Sequence, residues 1–500
     1  MVLPAPAAPS RGTPVTEAAP LTPLEAGPIP RTSKTVLSLL LPLLAFLALA
    51  AAPAHASRNQ TLFFEAPGDL LNDATRDASF QKLDSLGVSG LRIAMLWRSV
   101  APAPDSRTQP DFDTTDPAAY DFAAFDKVLD AAKQRNWPVL LTVTGPVPKW
   151  ATRDRKDNVS RPDPNKFAQF MTAVGRHFAG RVAYWSIWNE PNQPQFLQPQ
   201  YDGRGRPVSP GIYRRLYEAA LKGLKSAQVS RPQVLMGETS PTGNSHVVAP
   251  LAFLRGVLCL NASYQRTSAT CSRLSTAGYA HHAYTPKAGP FFVPPKKDNV
   301  SIGVLPRLTS ALDRAGRAGA IPRNLPLFLT EFGIQSAPDV SYGVPFQRQS
   351  EYRAISERIA YANPRVKSFS QYLLTDDQPD LKARFAAARY PGFESGLITY
   401  KGKEKPSFDA FRLALAVRPS TKTTASIWGE VRPARAAGTA QLEYRSGSSG
   451  AFQPLKSVSY NRLGFFTTSG GYRTGRQYRV TWTAPDGTVY HGGATRAYHG

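Results

Sequence analysis

The chain has 500 residues, of which 42% are hydrophobic and 19% are charged, a composition typical of a globular protein and not of a disordered one. Its length exceeds one ordinary domain, although a barrel with insertions would account for most of it. The formal net charge of +24 would suit an anionic cell wall or an acidic polysaccharide, and the compositional bias of a high-GC genome is the alternative explanation. No helix-turn-helix, zinc-finger or RNA-binding motif accompanies the basic residues, which argues against specific nucleic-acid recognition.

The N-terminus has the parts of a secretory signal peptide. Basic residues precede an apolar run over residues 36–52, and the small residues Ala54 and Ala56 form a cleavage site. We therefore expect a leader and signal peptide over residues 1–56, cleavage after Ala56 and a secreted, extracellular protein. Retention of the run as a single membrane anchor is the alternative, but the run is short for a bilayer and is interrupted by Pro42.

Short apolar runs alternate with helical stretches along the middle of the chain, which is the pattern of β-α-β units and a parallel sheet. Strands are predicted over residues 61–66, 90–96, 139–144, 183–188, 234–237, 278–283, 327–330 and 368–374, and helices over residues 118–134, 167–178, 213–226, 304–317 and 349–362. Eight such strands predict an α/β fold, a (β/α)8 TIM barrel over residues 57–415. An open doubly wound sheet is the alternative, but the glycine fingerprint that usually accompanies it is missing from the sequence.

Two of these strands run into a glutamate. The fourth strand leads into Asn189-Glu190 and is stopped by Pro191, and the seventh leads into Glu331. A lone glutamate at a strand end is often only a surface ion-pair partner. Two carboxyl groups at the mouth of one barrel, however, can face one another across a substrate, which is the arrangement that glycoside hydrolysis needs.

With these motifs the sequence resembles the clan A retaining glycoside hydrolases, which are relatives of cellulases, β-xylosidases and β-galactosidases. The resemblance extends from Thr61 to about Phe411. It implies that Glu190 is the acid/base, that Glu331 is the nucleophile, and that Asn189 hydrogen-bonds a sugar hydroxyl. The implied reaction is double displacement on a poly- or oligosaccharide, and no metal or organic cofactor is implied.

Further residues match the clan pattern. Arg92 on the second strand resembles the arginine that contacts the nucleophile, although an arginine paired inside the barrel is the structural alternative. His282 and Tyr284 resemble a His-x-Tyr motif whose tyrosine hydroxyl donates to the nucleophile. Because side chains alternate along a strand, His282 and Tyr284 share one face and His281 takes the other, which argues against a metal ion held by the adjacent histidines.

A third acidic residue competes with the two glutamates. Glu238 follows the fifth strand and would be a catalytic or substrate-binding group if the strand count were shifted. The spacing favours Glu331, because the three β-α units after Glu190 need roughly 100 residues or more and Glu238 is only one unit away.

Aromatic residues near the strand ends are open to two interpretations. Trp97, Trp150 and Trp188 lie at or just beyond strand ends, so each would be either a sugar-stacking platform or a packing residue. Two departures from the clan leave the sugar and linkage open. The third strand lacks the histidine found there in many cellulases, and Gln371-Tyr372 occupies the eighth strand where many relatives have a tryptophan.

The chain has two cysteines, Cys259 and Cys271. In an exported protein a close pair is more often a disulfide than a metal site or a nucleophile. We therefore predict a disulfide that stabilises the connection between the fifth and sixth strands and takes no part in catalysis.

The pattern of apolar and polar residues changes in the last part of the chain. From about residue 417, short runs of alternating apolar and polar residues are separated by Gly- and Ser-rich turns, which predicts a small all-β sandwich as an accessory domain over residues 416–500. Trp428, Tyr460 and Phe466 would either stack on sugars or pack in its core.

The leading hypothesis is a secreted retaining O-glycoside hydrolase. A non-catalytic carbohydrate-binding or cell-wall-associated barrel protein is one alternative, and a basic adhesin or nucleic-acid binder is another. The two glutamates together with Arg92 and Tyr284 favour the enzyme, because binding alone requires no acid pair. A carbohydrate is the expected partner, and we expect no membrane association unless the leader is retained.

Overall fold

The structure, a computed structural model, describes residues 60–499. Its parallel strands are β1 (Phe64–Glu65), β2 (Leu91–Leu96), β3 (Val139–Thr144), β4 (Tyr184–Ile187), β5 (Val234–Thr239), β6 (Gly278–His282), β7 (Leu327–Glu331), β8 (Val366–Phe369) and β9 (Gln371–Tyr372). Its helices are α1 (Pro67–Leu70), α2 (Arg76–Ser85), α3 (Trp97–Val100), α4 (Ala123–Gln134), α5 (Pro164–Phe178), α6 (Ser209–Ser226), α7 (Pro250–Val257), α8 (Leu305–Arg317), α9 (Phe346–Ala362) and α10 (Pro406–Arg412). Antiparallel strands follow: β10 (Leu413–Pro419), β11 (Thr424–Val431), β12 (Gly438–Ser446), β13 (Gln453–Tyr460), β14 (Phe465–Gly471), β15 (Arg476–Thr483), β16 (Val489–His491) and β17 (Thr495–Arg496).

The parallel strands close into a barrel. They are hydrogen-bonded in the order β8-β7-β6-β5-β4-β3-β2-β1-β9. Phe64 of β1 pairs with Leu91 of β2 on one side and with Gln371 of β9 on the other, so the two edges of the sheet meet. Ser370 separates β8 from β9, which together form the eighth strand. The predicted (β/α)8 TIM barrel is therefore confirmed.

The interior of the barrel is polar at the mouth formed by the C-terminal ends of the strands and apolar in the layer of residues that precedes it. Phe63, Leu140 and Phe328 belong to a buried cluster separate from the main core, and the ring of Phe63 lies 6.0 Å from that of Tyr184 across the barrel. Because side chains alternate along a strand, the next inward position lies two residues further on. Those positions are occupied by Glu65 on β1, Thr142 on β3 and His282 on β6.

Two β-bulges turn further acids into the mouth. The pairing of β5 with β6 shifts between Gly237 and Thr239, which leaves Glu238 unpaired at the bulge. The pairing of β6 with β7 shifts so that His282 lies opposite Glu331. A bulge inserts one residue and redirects the side chains after it. The two bulges therefore explain why Glu238 and Glu331 point into the barrel mouth.

The C-terminal strands form two antiparallel sheets, with the orders β10-β11-β14 and β13-β12-β15-β16, and β17 pairs with β15. This confirms the predicted all-β sandwich. Trp428, Tyr460 and Phe466 are 2%, 8% and 4% exposed, and Trp482 Nε1 donates to Tyr460 Oη at 2.8 Å. Of the two interpretations of these aromatic residues, the structure supports core packing.

Buried ion pairs join the sandwich to the barrel. Arg432, just after β11, binds Glu357 of α9 at 2.9 Å and Glu430 at 2.7 Å. Arg353, one turn before Glu357 on α9, binds that glutamate at 3.0 Å and donates to Gln371 of the eighth strand at 2.8 Å. The sandwich therefore contacts the barrel through groups that would be costly to leave unpaired.

Two further sequence predictions concern the cysteines and the N-terminal leader. Cys259 and Cys271 form a disulfide after α7, as predicted. The predicted leader over residues 1–56, with its cleavage site at Ala56, lies outside the described residues. Within residues 60–499, no helix is both long enough and apolar enough to cross a membrane.

Candidate active site

Arg92 lies at the centre of the barrel mouth and binds three carboxyl groups. Its Nη1 donates to Glu331 Oε1 at 2.8 Å and also to Glu65, and its Nη2 and Nε donate to the two oxygens of Glu238 at 2.7 and 3.2 Å. The side chain is completely buried. Nη2 also donates to Asn189 Oδ1 at 2.7 Å, so one guanidinium holds groups from four other strands in a fixed arrangement.

Glu331 is reached from both sides by hydrogen-bond donors. Tyr284 Oη donates to its Oε2 at 3.1 Å, while Arg92 occupies Oε1. Burial raises the pKa of Glu331, and the charge of Arg92 and the hydrogen bond from Tyr284 act in the opposite direction. These contacts leave the carboxylate oriented and hydrogen-bonded on both oxygens.

Glu190 lies on a strained turn after β4. Its φ is +40° and that of Trp188 is +71°, values that a residue with a side chain rarely adopts. Glu190 N–H donates to the backbone oxygen of Glu238 at 3.0 Å, and Asn189 N–H donates to Thr144 Oγ1 at 2.9 Å. The bonds fix the Asn189-Glu190 turn against β5 and β3 despite the strain.

His282 connects the two candidate catalytic carboxyl groups. Its Nδ1 lies 2.9 Å from Glu190 Oε1 and 3.4 Å from Glu331 Oε2. One ligand atom from each of the three residues lies within 4.8 Å of the others, so this set could hold a divalent cation. In the structure their hydrogen bonds are made with one another and with Arg92 and Tyr284.

His281, in contrast, is a structural residue. Its Nδ1 lies 3.0 Å from Thr239 Oγ1 and its Nε2 lies 2.9 Å from the backbone oxygen of Val300. Burial lowers its pKa to about 4, so the ring is neutral near pH 7. The two adjacent histidines point to opposite faces of β6, as the alternation of a strand predicts.

The four carboxyl groups of the mouth differ in their access to solvent. The side chains of Glu190 and Glu331 are 16% and 11% exposed, whereas those of Glu65 and Glu238 are 2% and 0% exposed. A reacting group must touch substrate. Glu190 and Glu331 are therefore the pair that a bound molecule can reach, and Glu238 is not equivalent to them.

The pKa is raised for three of these groups, Glu65, Glu190 and Glu331, and lowered for Glu238. Burial raises the pKa of Glu190, more than the hydrogen bond from His282 lowers it, which favours a carboxyl group that keeps its proton. Burial raises the pKa of Glu65 to about 8. For Glu238 burial acts in the same direction, but the charge and hydrogen bonds of Arg92 outweigh it and the pKa is lowered.

Sequence reasoning missed Glu65 and left Glu238 as a rival to the favoured Glu331. The first strand also runs into a glutamate, after Leu62, Phe63 and Phe64, which is the same signal that identified Glu190 and Glu331. Glu238 entered as a rival catalytic acid, and the structure places it against Arg92 and Thr142 Oγ1, which donates to it at 2.9 Å.

The three tryptophans near the strand ends, for which sugar stacking and packing were both open, are packing residues. Trp97 is 0% exposed and its ring stacks on Phe170 at 4.9 Å, while Trp150 is 1% exposed and meets Trp97 edge-on at 5.8 Å. Trp188 is also fully buried. Since protein side chains cover these rings, the platform role is wrong, and the packing alternative holds.

Other aromatic side chains have open surface beside Glu331. Tyr284, Tyr372 and Phe393 are all partly exposed. The ring of Phe393 lies 6.1 Å from Tyr284 and 5.1 Å from Tyr372. Tyr372 stands where many clan members have a tryptophan, and Phe393 comes from the long connection after the eighth strand, for which the sequence offers no motif.

Comparison with known proteins is consistent with this site. The family model described as Cellulase (glycosyl hydrolase family 5) matches residues 54–364. A search of curated proteins found no match. Among solved structures, a glucosidase from Croceicoccus marinus is similar over 86% of this chain and 96% of its own, with 13% identity and a TM-score of 0.50.

Two further structures are similar at lower scores. A GH10 endoxylanase retrieved from a sugarcane soil metagenome is 12% identical over 71% of this chain and 96% of its own, with a TM-score of 0.44. A beta-glucosidase from Exiguobacterium marinum is 14% identical over 66% and 82%, with a TM-score of 0.44. At these identities, solved structures inform the fold alone.

Proposed function

The chain belongs to the cellulase family, glycosyl hydrolase family 5, and is a glycosidase; from this premise we propose that it cleaves its substrate by double displacement between Glu331 and Glu190. The observation that carries the proposal is the pair of solvent-accessible carboxyl groups held next to one another by His282. A retaining mechanism places its two carboxyl groups about 5 Å apart, and the compact cluster of one oxygen from each glutamate within 4.8 Å of the His282 nitrogen supports that class.

In the first step Glu331 attacks the anomeric carbon while Glu190 donates its proton to the leaving glycosidic oxygen. Burial raises the pKa of Glu190, which favours the protonated form that the acid needs. Burial raises the pKa of Glu331 too, but there the charge of Arg92 and the hydrogen bond from Tyr284 act in favour of the ionised form. Arg92 and Tyr284 hold Glu331 on both oxygens, which favours attack by one defined lone pair. A glycosyl–Glu331 ester and a free alcohol result.

In the second step Glu190, now ionised, removes a proton from water, and the resulting hydroxide equivalent displaces Glu331 from the anomeric carbon. Glu190 ends the cycle protonated and the product keeps the starting configuration. The fixed Asn189 amide, whose Oδ1 is occupied by Arg92, has its two N–H donors left for a sugar hydroxyl.

The aromatic residues Tyr372 and Phe393 are the side chains best placed to contact a sugar ring beside Glu331. We propose a carbohydrate substrate of the poly- or oligosaccharide class. A secreted location is supported by the signal-peptide motif and by the disulfide.

The test has two parts. A panel of aryl β-glycosides identifies a hydrolysed substrate, and proton NMR of the first product determines whether the anomeric configuration is retained. We expect retention, and we expect Glu331→Ala to lose turnover while its thermal unfolding remains cooperative. An inverted first product, or full activity in Glu331→Ala, would refute the assignment.

A further inference from the structure

A basic groove lies on the outer surface of the barrel, between α7 and α8, and contains none of the residues of the candidate active site. Its volume is about 890 Å³, within the range of roughly 300–1,000 Å³ found for ligand sites. The ionisable side chains that line it, apart from Tyr264, are Arg255, Lys296, Lys297, Asp298, Arg307 and Arg314. Five cationic residues and one carboxylate therefore line one cavity.

The disulfide loop supplies one wall of this groove. Tyr264 lies between Cys259 and Cys271, and its backbone has a φ of +63°. The guanidinium of Arg314 lies 4.2 Å above its ring, and that of Arg255 lies 5.8 Å away. The covalent link and the two cation–π contacts hold the loop against α7 and α8, so the wall is part of a preformed site.

The second wall comes from α8 and the connection before it. Arg307 and Arg314 are seven residues apart on α8, which places them on the same face of the helix. Arg307 Nη1 donates to the backbone oxygens of Pro294, Lys296 and Asn299, each at 3.1 Å. These bonds fix the guanidinium at the groove and leave its charge without a carboxylate partner.

Most of the positive charges that line the groove have no carboxylate partner among the groove residues. Asp298 binds Arg255 through both oxygens, at 2.9 and 2.6 Å, and so neutralises one of the five cations. No carboxylate in residues 60–499 forms an ion pair with Lys296, Lys297 or Arg314. Their charges raise the local concentration of anions, and an anionic ligand would provide the missing partners.

We propose that this groove binds an anionic glycan, a saccharide that carries carboxylate or phosphate groups. The glycan class rests on the proposed function, since the same chain cleaves glycosidic bonds. The connection after β6 begins at the active-site residue Tyr284 and carries Lys296 and Lys297, so one segment contributes to both sites. Tyr264 has a face covered by Arg314, which disfavours the base stacking that single-stranded nucleic acids use.

The test measures retention of the full-length Glu331→Ala protein on immobilised polygalacturonate, with neutral cellulose as the reference matrix, at several NaCl concentrations. The Glu331 substitution prevents any cleavage of the probe. Into this background we introduce Lys296→Ala with Lys297→Ala. The matched control is Lys222→Ala with Lys225→Ala, which removes two exposed lysines from α6, away from the groove.

We expect the groove pair to weaken retention about fivefold, on the scale of two exposed ion pairs, and the α6 pair to leave it unchanged. Competition by galacturonate or by inorganic phosphate then identifies which anionic group is preferred, and either result supports an anion site. Equal weakening by both pairs would overturn the proposal, because it would mean that only the overall charge matters. Retention of DNA through these lysines, with no retention of polygalacturonate, would overturn it as well.

The outcome is separable from the proposed function. Retention controlled by Lys296 and Lys297 in a protein that hydrolyses no glycoside would refute the double displacement and leave the groove assignment standing. Hydrolysis of a glycoside, together with retention that the two substitutions leave unchanged, would refute the groove assignment and leave the double displacement standing.

Discussion

Glu238→Gln is the change that best separates a positioning residue from a reacting one. Glu238 accepts from Arg92 Nε at 3.2 Å, from Arg92 Nη2 at 2.7 Å and from Thr142 Oγ1 at 2.9 Å. A glutamine has the same shape but only one oxygen, so its NH2 group must face an N–H or O–H donor. At least one bond to the buried guanidinium is therefore lost.

A hydrogen bond to a charged group contributes about 1.5–3 kcal/mol. If Arg92 shifts as a result, its bonds to Glu331 and Asn189 weaken together, and the same free energy appears in the barrier. We expect kcat/KM to fall about 10- to 100-fold, since each 1.4 kcal/mol is a factor of ten. Glu331→Gln, which removes the proposed nucleophile, is expected to cost at least about 10⁴-fold.

The assay compares kcat/KM of both variants on one hydrolysed aryl glycoside and their free energies of unfolding in urea. Glu404→Gln, at an exposed position with the same change of charge, is the control for both measurements. A loss in Glu238→Gln as large as that in Glu331→Gln, with unchanged stability, would mean that Glu238 reacts with substrate. Unchanged activity would mean that the orientation of Arg92 does not depend on Glu238.

Three further results are expected. In the folded state Glu65 keeps its proton up to about pH 8, whereas its ordinary pKa is 4.5, so folding becomes less favourable as the pH rises between these values. Glu65→Gln does not titrate, so its unfolding temperature should rise relative to that of the wild type as the pH is raised, and the difference should be larger at pH 9 than at pH 6. Glu190→Ala should hydrolyse an aryl glycoside with a good leaving group only slowly, and azide should restore turnover and give a glycosyl azide of retained configuration, because azide needs no general base. Arg432→Ala should lower the free energy of unfolding by about 3–5 kcal/mol, since it leaves Glu430 and Glu357 short of a buried partner.

Each of these has its own control and contrary outcome. For Glu65, a difference in unfolding temperature that is the same at pH 6 and pH 9 would contradict the raised pKa. For Glu190, an azide product of inverted configuration would point to a different nucleophile. For the sandwich, Arg462→Ala, at an exposed position, is the matched control, and equal stability of the two arginine variants would show that the buried ion pairs do not hold the sandwich to the barrel.

The arrangement around Arg92 explains how one cation serves several acids. The buried Glu238 takes two of its N–H groups, and Glu331 and Asn189 take others. A single positive charge cannot fully balance three carboxylates, so a proton is favoured on one of them, and burial places it on Glu65, whose pKa is raised to about 8. Arg92 therefore orients Glu331, the candidate nucleophile, although its positive charge is shared with the other carboxyl groups.

Much of the candidate site could be predicted from the amino-acid sequence. A strand buried on both faces must be a near-continuous apolar run, so the eight strands stand out in the sequence, and a glutamate that follows such a run lies at the mouth of the barrel. Alternation along β6 likewise separates His282 from His281. These predictions depend only on local periodicity, which is a property of consecutive residues.

Other features depend on segments that are far apart in the chain. Whether Glu238 points inward depends on a bulge in the pairing of β5 with β6, and whether Trp97 is open to a sugar depends on Phe170 of α5. The basic groove joins the disulfide loop to a helix some fifty residues later. The sequence by itself determined the parallel barrel, the sandwich and the glutamates at the strand ends, because each follows from a local pattern. The tertiary structure alone decided which of these glutamates solvent can reach, the partners of Arg92, the burial of the tryptophans and the location of the unpaired cations, because burial and ion pairing are set by neighbours in space.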